Sequence, residues 1–399
     1  ERPDRIVPPP ALTARLADEW RATFLRDEYD LTDVYTQMAV SARQLLERYA
    51  ARHPDVFGTT LTPQCTTVPA FLKATIKCVD AALCVSDVDN CASAQAKAGL
   101  EIRAWAKEWV QVMSPHFRAI QRIIMRALKP QFCVAAGWTA DELDAWWRAN
   151  YTPCAVEVDF TEFDKNQSHG TLAAELAISA SILGLPHGDD YFALRTGSYC
   201  TMRDLGSTDT GAERTSGEPA TLLHNTVVGM CMAMRMVPEK SGWAGLFQGD
   251  DMVLFFPSAS KARELRWRPA DLELPGFNIP IKHLATATPS FCGCVGTGAG
   301  LFTDVMHLAV KLLCRRWDEE ILREQCEAML DRLRAVYLAW PETIAANATY
   351  YAYPPSRVVD IVFELTSYAR GRGLHSPYVL ANMERICAPY RRVNLHDPA

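Results

Sequence analysis

Residues 154–160, Cys-Ala-Val-Glu-Val-Asp-Phe, alternate in the manner of a half-buried strand. From 171 to 183 and from 218 to 236 the apolar positions follow helical spacing, and Pro219 suits the first turn of the second helix. Two short apolar runs, 243–248 and 252–256, flank Gly249-Asp250-Asp251 and predict a β-hairpin. Elsewhere the pattern is coarser. Residues 1–50 read as helical behind a stiff Pro8-Pro9-Pro10 entry, 51–100 as irregular, and 100–128 as a helix broken at Pro115. Residues 195–218 read as loop, and those from 302 onward as mostly helical, punctuated by Pro341, Pro354 and Pro377. No internal repeat or low-complexity tract is visible.

At 399 residues the chain is long enough for two or three domains or one multi-lobed domain. Its 49% apolar and 22% charged residues exclude disordered, collagen-like and mucin-like classes. No uninterrupted run of apolar residues is long enough to span a bilayer, and no leader pattern follows Glu1, so neither a transmembrane segment nor a secretory signal is expected. The 13 cysteines are scattered without a C-x-x-C pair, which argues for free thiols rather than a zinc module. The net charge of −6 advertises no polyanion partner. Yet Lys97, Arg103, Lys107, Arg118, Arg122, Arg126 and Lys129 crowd into residues 97–130 against Glu101 and Glu108 alone. A basic stretch inside an acidic chain is either a solvated helix face or a surface for phosphates.

Three segments carry candidate chemistry. Asp159 stands at the end of the predicted strand, with Asp164 five residues on. Ser216-Gly217-Glu218-Pro219 leads into a helix on which Thr221 and Asn225, four apart, share a face that could present hydrogen-bonding groups to a sugar. Asp250 and Asp251 sit at a hairpin tip. Two adjacent carboxylates repel by about 4 kcal/mol at 4 Å in an effective dielectric of 20, and a divalent cation relieves that. Each segment alone is ordinary: a turn aspartate, a capped helix, a hairpin turn. A second Gly-Asp-Asp at 188–190 makes the point, because no strand precedes it and it reads as a turn and helix start. In order, however, strand Asp, then Ser-Gly…Thr…Asn on a helix, then hairpin Asp-Asp, is the layout of a template-directed polymerase palm. That chemistry uses two divalent ions about 3.5–4 Å apart to clamp the attacking and leaving oxygens. Hard oxygen donors from separate segments suit them, with Asp159 and Asp250 as principal ligands and Asp251 in support.

The segments 159–167, 216–226 and 249–251 resemble motifs A, B and C of positive-strand viral RNA-dependent RNA polymerases. Residues 215–226, 247–252 and 368–374 are similar to the polymerases of the rubella-like (matonavirus) group, which form the C-terminal part of a nonstructural polyprotein. The likeness runs over nearly the whole chain. It implies that Asp164 and Asn225 read the ribose 2′-hydroxyl, and that Ser216 and Gly217 lie in a flexible loop beside template and nucleotide. It implies that Lys282 occupies the motif D position and could protonate leaving pyrophosphate. Phe291-Cys292-Gly293 matches motif E, with Cys292 as packing, and Lys97, Arg103 and Lys107 are candidates for the motif F residues lining an NTP tunnel.

The resemblance implies an α+β right-hand polymerase with a small antiparallel palm sheet. Fingers come from 1–150 (motif F region 97–130) and an insertion at 171–218. The palm comes from 151–170 and 219–300, and a mainly helical thumb from 301–399. It further implies Mg2+, or Mn2+ in its place, RNA template and product, NTPs, other viral replicase subunits, and a site of action in membrane-associated replication complexes of the host cytoplasm. Two alternatives stay open. A reverse transcriptase would share the carboxylates, but Gln248 lies where an aromatic residue is usual and Asp164 replaces a bulky steric gate. A non-catalytic RNA-binding scaffold would not need Asp159, Asp250 and Asp251 together.

Overall fold

The computed structural model describes residues 5–29, 36, 38–40, 42–44, 47, 67–72, 101–103, 105, 107–197, 199–202, 206–209, 211–215, 217–238, 241–266, 279–313 and 319–372. They fall into two compact units. The first takes in the described residues among 1–73, 101–139 and 154–286; the second takes in those among 140–153 and 287–399.

The first unit holds two sheets. In the smaller, β1 (Thr67–Leu72), β2 (Glu101–Arg103), β5 (Tyr199–Met202) and β6 (Gly206–Asp209) run in the order β2-β1-β5-β6, with β1 and β5 parallel. The irregular reading of 51–100 and the loop reading of 195–218 are therefore corrected at these strands. The β1–β5 pairing joins segments more than a hundred residues apart, which local periodicity does not register.

The larger sheet contains β3 (Phe132–Val134), β4 (Ala155–Phe160), β7 (Ala244–Gln248), β8 (Asp251–Phe255) and β9 (Ile281–Thr286), in the order β3-β7-β8-β4-β9. It is antiparallel except for the β3–β7 pair. Buried Ala155, Val156, Val158 and Phe160 fix β4 in place, and the expected hairpin forms with Gln248 opposite Asp251. The turn is thus two residues, Gly249 and Asp250. Gly249 has φ +63° while Asp250 keeps a negative φ, the type II′ arrangement that matches strand twist.

Helices Pro10–Phe24, Lys107–Ala127, His169–Leu183 and Thr221–Met236 pack with this sheet into one core. The 107–127 helix runs straight through Pro115, contrary to the expected break. Proline there removes a backbone hydrogen bond, at a cost of about 3 kcal/mol. The stripe of buried Trp109, Met113, Phe117, Ile120 and Ile124 holds the helix regardless. His169–Leu183 begins with a capping box between Ser168 and Thr171. The second Gly-Asp-Asp opens the helix Gly188–Thr196, with Asp189 and Asp190 in its first turn, as the sequence suggests. Pro219 falls in the turn before the helix Thr221–Met236 rather than within its first turn.

The second unit joins the helix Ala140–Asn150 to a three-stranded sheet and to helices Val305–Leu313, Glu319–Leu338, Trp340–Tyr350 and Pro355–Arg372. The sheet consists of β10 (Ser290–Phe291), β11 (Cys294–Thr297) and β12 (Gly300–Thr303). Cys292 and Gly293, both at positive φ, form the β10–β11 turn. Cys292 is exposed there, which corrects its expected packing role: a two-residue turn leaves its tip in solvent. Trp147 is fully buried, and its Nε1 donates to the Thr297 carbonyl at 3.0 Å. A Cβ on Gly296 would stand 1.7 Å from the Trp147 ring. Gly296→Ala is expected to lower stability by about 1–3 kcal/mol through overpacking. Gly371→Ala, whose new Cβ would meet nothing within 4 Å, should be neutral or slightly stabilising. Urea midpoints of the two variants check this.

Candidate active site

Asp159 is the fifth residue of β4 and the exposed one between buried Val158 and Phe160. The β4–β8 ladder pairs Val158 with Met252, so the next rung brings Asp159 opposite Asp251, the first residue of β8. Val158 and Met252 both point into the core, so by strand alternation Asp159 and Asp251 both point out of it. Asp250 occupies the tip beside them and is exposed. On the other edge of β4, Asp159 pairs through its backbone with Lys282. The register therefore gathers the three aspartates at one end of the sheet, and brings the backbone of Lys282 alongside.

The hairpin tip is tied to the helix Thr221–Met236. The Gly249 amide donates to Thr226 Oγ1 at 2.8 Å, and the same hydroxyl donates to the Leu222 carbonyl at 2.7 Å. A Cβ on Gly229 of that helix would lie 3.7 Å from the Gly249 carbonyl, so helix and tip pack closely. Thr226 was not singled out by the sequence. Its signal is a hydroxyl in the otherwise apolar run that follows Asn225.

After β4 the chain turns through 161–166, with Glu162 at φ +48°. Asp164 accepts a 2.9 Å hydrogen bond from Asn225 Nδ2. Burial pushes the Asp164 carboxyl up from the usual carboxylate range. The Asn225 bond and Arg214 pull against that, and Asp250 and Glu218 add to it. Asp250 is therefore near enough for its charge to be felt at Asp164. Thr221 does not stand beside Asn225 as a second outward group. Its hydroxyl is turned onto the carbonyls of Thr215 (2.9 Å) and Glu218 (3.1 Å), where it braces the loop before the helix. Gly217 lies in that loop, half-buried; Ser216 and Lys97 fall outside the described residues. Arg103 is on β2 and Lys107 opens the 107–127 helix, with only their backbones described. Arg118, Arg122 and Arg126 are exposed on that helix, four residues apart.

Beneath these residues lies a buried charge cluster that the sequence reading missed. Glu175, Arg195, Arg214 and Glu218 are all within 6% of full burial. Arg214 Nη1 donates to Glu175 Oε1 (2.9 Å) and Glu218 Oε1 (2.8 Å), and its Nη2 donates to Glu175 Oε2. Arg195 Nη1 reaches the same two carboxylates at 3.2 and 3.3 Å. His224 Nδ1 stands 3.2 Å from Glu175, and its Nε2 3.2 Å from Ser179 Oγ. Two cations thus face two anions, each shared. Arg214 Nε donates to Asn225 Oδ1 at 2.7 Å, which joins the cluster to Asp164. The available signal was Glu175, the one charged residue in the helix His169–Leu183.

Burial alone would raise the Glu175 carboxyl, but Arg214 and His224 together hold it well below the usual carboxylate range. A depressed folded-state pKa gives stability that is present above the unfolded value and is lost as pH falls toward the folded one. Glu175→Gln leaves Arg214 short of charge, and at pH 7 is expected to lose about 3–5 kcal/mol. The gap from wild type should narrow as pH drops below about 4. Urea unfolding at several pH values measures both.

Among the described residues, no three carboxylate, imidazole or thiol side chains are already gathered closely enough to hold a metal ion. Asp159, Asp250 and Asp251 nevertheless supply only hard oxygen donors, and all three are exposed at one end of the sheet, so the donor set fits a hard divalent cation.

The profile of the RNA dependent RNA polymerase family matches residues 36–370. The chain is 65% identical over 396 residues to the non-structural polyprotein p200 of Rubella virus strain RA27/3 vaccine, and equally to that of strain Therien. The match takes in 99% of this chain but 19% of each polyprotein, so the chain spans about a fifth of the length of these curated relatives. Among solved structures, the RNA-dependent RNA polymerase of a human picorbirnavirus aligns with a TM-score of 0.53 at 12% identity, covering 98% of this chain and 77% of that one. Its insertion-loop deletion mutant aligns with a TM-score of 0.52 at 12% identity, covering 97% and 78%. The fold, mixed α/β around a small and largely antiparallel sheet, is thus shared with viral polymerases at an identity where sequence alone says little. With 335 consecutive residues inside the profile and rubella-virus relatives along almost its full length, the chain belongs to the RNA-dependent RNA polymerase family.

Proposed function

We propose that this chain extends RNA on an RNA template by nucleotidyl transfer from NTPs, with Asp159, Asp250 and Asp251 as the ligands of two divalent ions. The observation that carries this is the sheet register: three carboxylates from two distant segments share one sheet end, with no apolar packing to hold them there. Mg2+ is the ion of choice for such an oxygen donor set, and Mn2+ would fit it too. When bound, the ions supply charge stabilisation for the attacking and leaving oxygens. The chain's own residues do the rest. Asp164 and Asn225 meet the ribose, Gly217 lies beside the base pair, a role we also assign to Ser216, and Thr221 holds the carbonyls of Thr215 and Glu218 in place. Lys282 pairs through its backbone with Asp159 on the neighbouring strand, and we assign it, as at the motif D position, the role of proton donor to the leaving pyrophosphate.

In hand terms we take β4, β7, β8 and β9 of the five-stranded sheet, with the helix Thr221–Met236, as palm. The segments from 1–150 and 171–218 in the first unit are taken as fingers, and the helices from 305 to 372 as thumb. Because β10–β12 group with those helices, we draw the palm boundary at Thr286 rather than at 300. We place the enzyme in replication complexes on host cytoplasmic membranes, held there by other replicase subunits. Among the described residues no helix is long and apolar enough to cross a bilayer.

Primer extension on an RNA template tests the assignment. Asp250→Ala should abolish incorporation while changing stability by no more than about 0.5 kcal/mol, since the side chain is exposed. Retention of full activity would remove Asp250 from the metal site. Independently of turnover, Mg2+ or Mn2+ should raise the melting temperature of the wild type, and Asp250→Asn should lose most of that rise.

A further inference from the structure

We infer that Arg214 is a positioning residue that sets the sugar selectivity of the polymerase by locking the orientation of the Asn225 amide against Asp164. The inference rests on the reading of Asp164 and Asn225 as the ribose contacts.

A side-chain amide has one accepting oxygen and one donating NH2, and either end can face a given neighbour unless the neighbours differ in kind. Here they differ. Arg214 Nε can only donate, and Asn225 Oδ1 accepts from it at 2.7 Å. The Asn225 Nδ2 is thereby turned to Asp164 Oδ1, 2.9 Å away. The flipped amide would set a donor against a donor and an acceptor against an acceptor. Arg214 also holds the other partner, because its backbone amide donates to the Asp164 carbonyl at 2.8 Å. One residue thus fixes both halves of the pair.

The orientation matters for what remains. With one Nδ2 hydrogen and one Asp164 oxygen engaged, the pair still offers one donor and one acceptor side by side. A 2′-hydroxyl both donates and accepts, so it complements that pair. A deoxyribose leaves both groups unmet, and sites built to bond a hydroxyl discriminate strongly against its absence. Arg214 cannot touch the nucleotide itself, since its side chain is fully buried. What keeps it still is the clamp of Glu175 and Glu218 on its two terminal nitrogens. Lysine would retain the charge but not a fork that meets two carboxylates and an amide oxygen in fixed directions.

The test is single-nucleotide incorporation by the full chain on a primed RNA template, comparing kcat/KM for ribo- and deoxyribonucleoside triphosphates, with melting temperatures alongside. Two variants are used. Arg214→Lys frees the amide while keeping the charge. The Arg214→Met/Glu175→Gln pair removes one cation and one anion together and leaves Arg195 balanced by Glu218. Either is expected to cut the ribo-over-deoxy ratio by about 10-fold, chiefly through a higher KM for the ribonucleotide. Asn225→Ala should cut it at least as far, and adding Arg214→Lys to Asn225→Ala should cut it no further. Folded Arg214 variants that keep the wild-type ratio, while Asn225→Ala loses it, would overturn the positioning role and leave the ribose reading standing. An unchanged ratio in Asn225→Ala would overturn the ribose reading and this inference with it. Equal losses on both sugars, or failure of both Arg214 variants to fold, would make Arg214 structural and end the proposal.

Discussion

Two guanidinium groups shared between two carboxylates, all out of reach of water, are the constraint on which the placement of Asn225 and Asp164 depends. Moving four charges from water into a protein interior is costly, and attraction in the interior repays it only when nearly every donor and acceptor is met. The elements that supply them are therefore not free to move apart. Glu175 comes from one helix, Arg195 from the next, and Arg214 and Glu218 from the loop before a third. Neutrality of the cluster pins that loop to the helices, and with it the Arg214 side chain that holds the Asn225 amide. A polar core of this kind adds little net stability compared with hydrophobic packing. It gives direction instead, because hydrogen bonds fix angles that apolar contacts leave loose.

The sheet contributes a different kind of order. In an antiparallel ladder a residue's partner follows from its neighbours' partners, so the apolar register between Val156 and Leu254 and between Val158 and Met252 determines where Asp159 and Asp251 emerge. The end of the sheet that carries the aspartates is thus written by buried hydrophobic residues. A slip of one residue would turn every aspartate to the other face.

This division explains what could be read from the chain alone. Strand β4, the hairpin, the helix after Ser168 and the second Gly-Asp-Asp all follow from local periodicity or capping, and the sequence predicts them within a residue or two. The aspartates were legible because a polar residue at the end of an apolar strand is conspicuous. Pro115 misled because helix propensity is weaker than the burial of Trp109, Phe117 and Ile120 on one face. Strand β1 was invisible because it pairs with β5 about 130 residues away, and β5 and β6, though adjacent in sequence, lie in a stretch of Gly, Ser and Thr without strand alternation. Cluster members such as Arg214 and Glu218 carry no local mark of burial, since charge normally means exposure and nothing in the sequence says that four charges cancel. Thr221 looked like a ligand because helix spacing gives a residue's face but not its hydroxyl's partner.

Asn225 and Thr226 are consecutive, yet they serve different ends of the site: one faces Asp164, the other moors the hairpin tip through the Gly249 amide. A helix cannot move one without the other. Any shift of its first turns that widened the pocket for a bulkier sugar would drag the aspartate-bearing tip with it. On the function we propose, tolerance for modified nucleotides and the placement of the metal-binding aspartates are thereby mechanically linked through one helix.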